Sequence, residues 1–438
     1  MNQLLEVKQK LLLKSQHECY IEDFLGGGGQ GEVYRAKLGE KLVALKWYLP
    51  NIATPEQYQA LQSIIQKDAP TGSFLWPFAL AESESVSGFG YFMPLREARF
   101  KSLNDLMTRR IEPSFLALVT AGIGLADSFS QLHSQGLCYR DISFGNVFFD
   151  PNTGEVLICD NDNVSVDGQT DSLVRGTPRF MAPEVVRGET DPNTQSDLFS
   201  LAVLLFYLLM GHHPLEGKKE SDIRCFDLPA MNKLYGTDPI FIYDPHNDSN
   251  RPQPVYHDNA RIFWPIDPLF IREIFIKAFT EGIRDPQHGR VRETEWRKTL
   301  AKLRDSCIYC GHCGREVFYD QSALQNNGKL GECWNCGKTP TPPPRIKIGQ
   351  HVVMLNHDTK LYPHHLNPRK LFDFSNAEGA VTRHPKNPNI WGIKNLGAEK
   401  WVVTLADGTI SDIEHGRSVT LTNGIKINFG KVEGDIRI

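Results

Sequence analysis

The sequence predicts an α+β protein of three parts: a large mixed domain, a small cysteine-rich module and a C-terminal region of short strands. The chain has 438 residues, or about three domains at roughly 150 residues each. Its 40% hydrophobic and 23% charged residues are typical of a globular chain. Apolar runs and helical patterns continue from about residue 20 to 303, whereas the last 94 residues alternate in short runs that end in turn signals.

Charge and hydropathy exclude some classes of function. The net charge of −4 and the pI near 6.4 show no basic excess, so nucleic-acid binding is not expected. The longest apolar run, Leu201 to Met210, is about half of the roughly 20 residues that a membrane span needs. The N-terminus shows no signal peptide pattern. We therefore expect a cytoplasmic protein without membrane contact.

Composition shifts predict the boundaries. The large domain takes residues 1–305, the cysteine-rich module 306–338, a proline-rich linker (TPTPPP) 339–344, and a β domain 345–438. Consecutive prolines lack amide donors and favour an extended spacer. Beyond them, WVVTLADGT and SVTLTNG are strand patterns that end in Asp-Gly and Asn-Gly turns.

A glycine-rich stretch opens the large domain. Gly26, Gly28 and Gly31 form GxGxxG before Val33, and the strand-like EVYRAKL and KLVALKWYL follow. A dinucleotide-binding fold would place a helix directly after the last glycine. Glycines in a β-hairpin instead let backbone amides close over phosphates, with Lys46 as a point charge from the next strand.

A second constellation lies near the middle of the chain. In CYRDISFGNVFFD, Asp141 and Asn146 are five residues apart, a spacing that places a carboxylate base and an amide metal ligand in one loop. NVFFD and EVLICD predict a hairpin that ends at Asp160. GTPRFMAPE and the apolar segment SDLFSLAVLLFYLLMG follow.

In this order, the motifs resemble those of protein kinases over about 280 residues. The resemblance implies a bilobal kinase fold, with an N-lobe over about 20–95 and a C-lobe over 96–305, that uses ATP and Mg²⁺. Asp141 is the implied base, Lys46 the phosphate contact, and Asn146 and Asp160 the Mg²⁺ ligands. The implied nucleotide contacts are Gly26, Gly28, Gly31, Val33, Lys46, Met93, Leu95, Asn146 and Asp160.

The resemblance also implies supporting roles. Thr177 is expected beside the catalytic aspartate, as in serine/threonine kinases. Asp197 is expected to anchor the catalytic loop, and Glu184 to pair with Arg290. Charge-assisted pairing, and not the resemblance, leaves two interpretations of Thr170 and Ser172: a phosphate on either one pairs with Arg140, or both are solvated hydroxyls.

Several positions depart from the family pattern. Tyr139 replaces a histidine, and Ser143 stands where serine/threonine kinases carry a lysine. Asp160, Asn161 and Asp162 replace the DFG triplet. Asp162 is open to two interpretations, a second metal carboxylate or an exposed turn residue.

The acidic partner of Lys46 is also left open. Thr54 and Pro55 predict the start of a helix that runs to about Gln66. Its only carboxylate before Asp68 is Glu56, in the first turn, where such residues often complement the helix dipole. Glu56, Gln62 or a reorganised helix are the alternatives.

The cysteines predict a structural zinc ribbon. Two CxxCG turns about 20 residues apart, Cys310/Cys313 and Cys333/Cys336, provide four thiolates for a closed tetrahedral Zn²⁺ site. Cys307 is interpreted as a bystander, and His312 as exposed.

The C-terminal region weakly resembles a forkhead-associated β-sandwich, although the phosphothreonine contacts of that family are not convincingly placed. The alternatives are a phosphopeptide reader and a general docking module. His364, His365, Arg383, His384 and Lys386 are interpreted as a candidate basic patch, with solvated loop charges as the alternative.

The whole arrangement resembles the kinase of the bacterial TerY phosphorylation triad. GGGGQGEVY, FLWP and CDNDNV carry that resemblance. It implies a von Willebrand A-domain protein as substrate, a metal-dependent phosphatase that opposes the kinase, and a link to tellurite or stress resistance.

Three hypotheses follow. The first is a serine/threonine protein kinase whose C-terminal modules dock its target. The second is a catalytically impaired, nucleotide-binding scaffold, favoured by Ser143 and the altered DFG triplet. Small-molecule phosphorylation is disfavoured by the GTPRFMAPE segment, which resembles a platform for protein substrates.

Overall fold

The fold is described from a computed structural model covering residues 3–168 and 176–438. The chain divides into two compact units. The first comprises Met1–Pro113, Gly124–His257 and Ile276–Thr294, and the second comprises Ser114–Ile123, Asp258–Phe275 and Glu295–Ile438. The predicted boundaries at 305, 338 and 344 remain predictions.

The first unit begins with a six-stranded antiparallel sheet in the order β1-β2-β3-β4-β6-β5. Its elements are β1 (Lys10–Leu12), β2 (Glu18–Gly27), β3 (Gly31–Leu38), β4 (Lys41–Tyr48), α1 (Pro55–Ile65), β5 (Ala79–Glu82) and β6 (Phe89–Pro94). The predicted hairpin thus forms as β3 and β4. Helix α1 begins where predicted, with the Thr54 hydroxyl accepting from Gln57 N–H.

Strand β4 is central and is covered on both faces. Because side chains alternate along a strand, Leu45 and Trp47 pack into one apolar cluster, while Ala44 and Tyr48 pack into another with α1. Lys46 shares the face of Ala44 and Tyr48. A charged group is therefore buried within an apolar layer and requires partners.

The next segment is mainly helical, with short strand pairs. It contains β7 (Lys101–Ser102), α2 (Leu103–Met107), α3 (Phe115–Ser134), β8 (Leu137–Cys138), β9 (Val147–Phe149), β10 (Val156–Ile158), β11 (Ser165–Val166), α4 (Pro183–Val186), α5 (Thr194–Met210), α6 (Lys218–Ser221) and α7 (Leu228–Asn232). Strands β9 and β10 form the predicted hairpin. Asn193 caps the buried helix α5, which ends at Gly211 with φ of 58°.

Helix α3 is long and apolar enough to cross a membrane by length and composition alone. In its most apolar window, 61% of the residues are buried inside the protein. Such a helix is also typical of a protein core.

A π-helical turn at Lys233–Thr237 follows α7, and the remaining α-helices of this region are α8 (Asp258–Phe263), α9 (Leu269–Phe279), α10 (Glu281–Arg284) and α11 (Glu293–Asp305). The cysteine-rich segment follows with β12 (Cys307–Tyr309), β13 (Glu316–Phe318) and α12 (Gln321–Asn327). Strands β12 and β13 pair antiparallel, with Cys307 opposite Phe318.

Residues 345–438 form ten strands and one short helix. They are β14 (Arg345–Ile348), β15 (His351–Met354), β16 (Lys360–Leu361), α13 (Pro363–Leu366), β17 (Gly379–His384), β18 (Asn387–Asn395), β19 (Trp401–Thr404), β20 (Ile410–Ile413), β21 (Ser418–Thr420), β22 (Lys426–Asn428) and β23 (Glu433–Arg437). Two sheets, β15-β14-β23-β22-β19-β20 and β16-β17-β18-β21, enclose an apolar core that contains Trp401.

Candidate active site and cysteine cluster

The glycine-rich loop connects β2 and β3. Gly26 and Gly28 face open space, so their missing side chains leave room above the loop. Gly31 is required for a different reason: the backbone of β4 packs closely against it, and an added Cβ would lie 2.4 Å from the carbonyl oxygen of Trp47. At the tip, Gly28 N–H donates to the Gly31 carbonyl at 2.9 Å.

Lys46 lies at the centre of a buried polar cluster. Its Nζ donates to both oxygens of Asp162, at 3.1 and 3.0 Å, and lies 3.5 Å from Oδ1 of Asp160. It also donates at 3.0 Å to the side chain of Gln30, from the glycine-rich loop. Lys46 thus connects that loop with the segment that follows β10.

Asp162 is fully buried, and the interpretation of it as an exposed turn residue is wrong. It lies in a 3-10 helix at Asn161–Asn163 and accepts hydrogen bonds from Tyr48 at 2.6 Å and Tyr91 at 2.9 Å. Burial opposes its charge, but Lys46 and the two phenols outweigh burial and lower the pKa of Asp162.

Neither proposed helix partner of Lys46 is its partner in the structure. Glu56 and Gln62 are both exposed on α1. Glu56 lies at the helix N-terminus, where its own backbone N–H and the Thr54 hydroxyl lower the pKa of its carboxyl group. Helix α1 reaches the cluster instead through Gln57, whose Nε2 donates to the Tyr48 hydroxyl at 3.1 Å.

Asp141, Asn146 and Thr177 are joined by hydrogen bonds. Asn146 Nδ2 donates to the Asp141 carbonyl at 2.8 Å, and the Thr177 hydroxyl donates to Asp141 Oδ1 at 2.8 Å. The backbone N–H of Cys159 donates to the Asn146 carbonyl at 2.8 Å. That bond ties the residue just before Asp160 to the loop that carries Asp141.

Three predicted nucleotide contacts line one apolar cluster. Met93 is buried on β6, and Val33 and Leu95 are partly buried against the same group of side chains. The cluster therefore provides an apolar wall, a surface that suits a flat ring. Thr170 and Ser172 lie outside the described residues, so their predicted phosphorylation remains a prediction.

Asp197 holds the loop before Asp141 in place. Its carboxylate accepts from the backbone N–H groups of Tyr139, at 2.5 Å, and Arg140, at 3.0 Å. Arg140 has a φ of 73°, a left-handed conformation that a non-glycine residue adopts only when its surroundings enforce it. Glu184 and Arg290 also pair as expected, at 2.7 Å.

His133 supports Asp197 and was missed from the sequence. Its Nε2 lies 3.2 Å from Asp197 Oδ2, and its Nδ1 contacts Glu293. Burial disfavours the charged imidazolium, but hydrogen bonds to the two carboxylates outweigh burial and raise the pKa of His133 to about 9. Two carboxylates therefore share one partly buried cation.

This pKa predicts a pH-dependent contribution to stability. The pKa of His133 is higher in the folded protein than its ordinary value of 6.5. The charged imidazolium therefore stabilises the fold fully below about pH 6.5, and this stabilisation is lost as pH rises through about 9. We expect His133→Asn to cost on the order of 3 kcal/mol of unfolding free energy at pH 6.5, and much less at pH 9.5. Urea unfolding of both proteins at the two pH values measures this. A difference that does not change with pH would contradict the assignment.

The four predicted zinc ligands lie together. Cys310 Sγ is 3.7 Å from Cys336 Sγ, and Cys313 Sγ is 3.6 Å from Cys333 Sγ. These separations are too long for disulfides, but thiolates at about 2.3 Å from a tetrahedral Zn²⁺ would be about 3.8 Å apart. Cys307 lies outside this group, and His312 is exposed. The cluster is therefore compatible with Zn²⁺.

The predicted basic patch is wrong for two of its members. Arg383, His384 and Lys386 are exposed, but His364 and His365 are buried near Asp305. The two histidines lie on α13, within an apolar and aromatic setting. Burial there lowers the pKa of His364 to about 3.

Asp305, His364 and His365 are close enough to suggest a second metal site. However, Nδ1 of His365 accepts from Tyr362 N–H, and Nδ1 of His364 accepts from Phe372 N–H, each at 2.9 Å. A neutral ring that accepts at Nδ1 carries its proton on Nε2, the nitrogen that would face the metal. His365 instead donates to Asp305 at 3.1 Å, so the group is a structural contact.

Sequence patterns could have found some of the missed residues. Tyr48 follows Lys46 by two positions and so shares its strand face. Tyr91 is opposite Lys46 in the β4–β6 register, which the sequence does not show.

Part of the chain is similar in sequence to known proteins. Residues 89–261 match the family model described as the protein kinase domain. A DNA damage-responsive serine/threonine-protein kinase of Deinococcus radiodurans, RqkA, is 30% identical over 48% of this chain and 32% of its own length. Serine/threonine-protein kinase pkn3 of Myxococcus xanthus is 26% identical over 45% of this chain and 38% of its own length.

A probable serine/threonine-protein kinase of Zea mays, CCRP1, is 32% identical over 26% of this chain and 19% of its own length. The chain therefore spans less than two fifths of each of these three relatives. The family model agrees with the predicted kinase domain over residues 89–261, within a mixed helix and strand fold, and the three relatives are themselves named serine/threonine-protein kinases.

Proposed function

We propose that this chain, which contains a protein kinase domain, transfers the γ-phosphoryl group of ATP to serine or threonine of a protein partner. One observation carries the proposal: Lys46, Asp160 and the hydrogen-bonded Asp141–Asn146 loop lie in one connected cluster. Lysine, two carboxylates and an amide are the side chains that phosphoryl transfer requires.

The chemistry follows from the donors and acceptors present. Lys46 holds nucleotide phosphates as a buried cation, while Val33, Met93 and Leu95 contact the base. Asp141, oriented by Thr177, accepts the proton of the acceptor hydroxyl. Asn146 and Asp160 offer the oxygen ligands that Mg²⁺ prefers, and Mg²⁺ when bound neutralises charge on the phosphates.

We also propose roles for the C-terminal parts. The four-cysteine cluster is a structural zinc ribbon, and residues 345–438 form a β domain that docks the substrate. The substrate is a protein, and the TerY resemblance favours a von Willebrand A-domain protein with an opposing phosphatase, in the cytoplasm.

A catalytically impaired scaffold remains the second candidate. Ser143 is buried, and residues 142–145 contain no basic side chain to offset phosphate charge. Phosphate transfer separates the two candidates.

Asp141→Asn tests the first proposal. The variant keeps the shape of the loop but loses the proton acceptor, so we expect transfer from labelled ATP to fall by about 10²-fold or more. ATP binding and the melting temperature should stay near wild type. Wild-type protein that binds ATP but labels neither itself nor any candidate partner would support the scaffold.

A further inference from the structure

The Asp162 carboxylate makes four hydrogen bonds within a closed site. Oδ1 accepts from Lys46 at 3.1 Å and Tyr91 at 2.9 Å, and Oδ2 accepts from Lys46 at 3.0 Å and Tyr48 at 2.6 Å. The Asp162 side chain is 0% exposed and that of Lys46 is 4% exposed. Every partner is fixed by a strand, so the carboxylate has one orientation.

Charge and burial explain why this contact matters. A buried ammonium group is strongly destabilised unless an opposite charge and hydrogen bonds compensate for lost water. Asp160 alone compensates weakly, since it lies 3.5 Å from Nζ and its side chain is 36% exposed. Asp162 is thus the principal counter-charge of Lys46.

Helix α1 provides no competing carboxylate. Glu56 is exposed, and the contribution of the helix is the neutral Gln57 on Tyr48. The position of Lys46 therefore depends on a residue only two positions after Asp160.

We propose that Asp162 is the positioning residue that holds Lys46 toward the nucleotide phosphates. The inference rests on the proposed function, because that function assigns Lys46 to those phosphates. The two aspartates then have different roles. Asp162 binds Lys46 and the two tyrosine hydroxyls, while Asp160 has an exposed face that is free to bind a metal ion. Tyr48 and Tyr91 fix Asp162 in turn.

A double-mutant cycle on nucleotide binding tests this with the full-length chain. Titration calorimetry measures binding of a non-hydrolysable ATP analogue with Mg²⁺ to wild type, Asp162→Asn, Lys46→Met and the double variant. We expect each single change to weaken binding about 10-fold. If Asp162 acts through Lys46, the double variant should bind no more weakly than Lys46→Met.

Glu56→Gln is the matched control, since it removes the rival carboxylate, and it should bind the analogue as wild type does. The proposal would be overturned if the double variant bound the analogue more weakly by the product of the two single effects. It would also be overturned if Asp162→Asn bound the analogue as tightly as wild type does. In transfer assays, we expect Asp162→Asn to lower kcat by about 10²-fold. A wild-type chain that binds the analogue but transfers no phosphate would overturn the proposed function, and the binding cycle would still test Asp162.

Melting temperatures report whether each variant folds. If Asp162→Asn does not fold, Tyr48→Phe and Tyr91→Phe replace it, because each removes one donor to Asp162 and keeps Lys46. The proposal is supported if each phenylalanine variant binds the analogue more weakly than wild type, but adds no further weakening when Lys46 is already methionine. Unchanged binding in both phenylalanine variants would overturn it.

Discussion

Cys310→Ser is expected to abolish zinc binding and to unfold the cysteine-rich segment. Structural zinc sites contribute on the order of 10 kcal/mol of apparent binding energy, and small modules rarely fold without it. Elemental analysis should give one zinc per wild-type chain and none for the variant. Limited proteolysis should then cut between residues 311 and 338, where wild type resists.

Cys225→Ser is the matched control, because Cys225 is exposed and lies outside the four-cysteine group. It should retain zinc and protease resistance. The zinc assignment fails if Cys310→Ser keeps a full equivalent of metal, or if zinc-free wild type resists protease as the metallated protein does.

Arg290→Ala should destabilise the first unit by about 3–5 kcal/mol. Arg290 is 4% exposed and donates to both oxygens of Glu184, at 2.7 and 2.8 Å. Its guanidinium also lies 4.8 Å from the ring centroid of Phe199. Removing it leaves the buried Glu184 carboxylate without its hydrogen-bonded counter-charge, and this causes most of the loss.

Two further variants isolate that cause. Replacing both partners, in Glu184→Leu with Arg290→Leu, should destabilise less than Arg290→Ala, since no charge is left unpaired. Lys10→Ala breaks the exposed pair with Glu18 and should leave the unfolding free energy nearly unchanged. Denaturant unfolding measures all three. A double variant as unstable as the single would contradict the explanation.

The sequence predicted those parts of the site that depend on local patterns. The β3–β4 hairpin, the helix start at Thr54 and the β9–β10 hairpin all follow from alternation, caps and turn residues. Asp141 and Asn146 are neighbours in one loop, so their spacing alone indicated contact.

Contacts between distant segments were not predictable in the same way. Asp162 lies 116 residues from Lys46 in the sequence. A local sequence pattern cannot show that a polar turn residue and a lysine on a distant strand are in contact. His133 and Glu293 are separated by 160 residues. The burial of His364 and His365 likewise depends on tertiary packing around Asp305, whereas composition indicated only a polar surface.

The cysteine-rich segment and the strands after the prolines share one apolar cluster. Met354 of β15 packs with Ile308, Val317 and Leu330. Asn356 Nδ2 also donates to the Cys307 carbonyl at 2.8 Å. A truncated protein that starts at residue 345 would therefore expose the apolar surface around Met354 and aggregate. Any fragment prepared for binding studies should begin before Cys307.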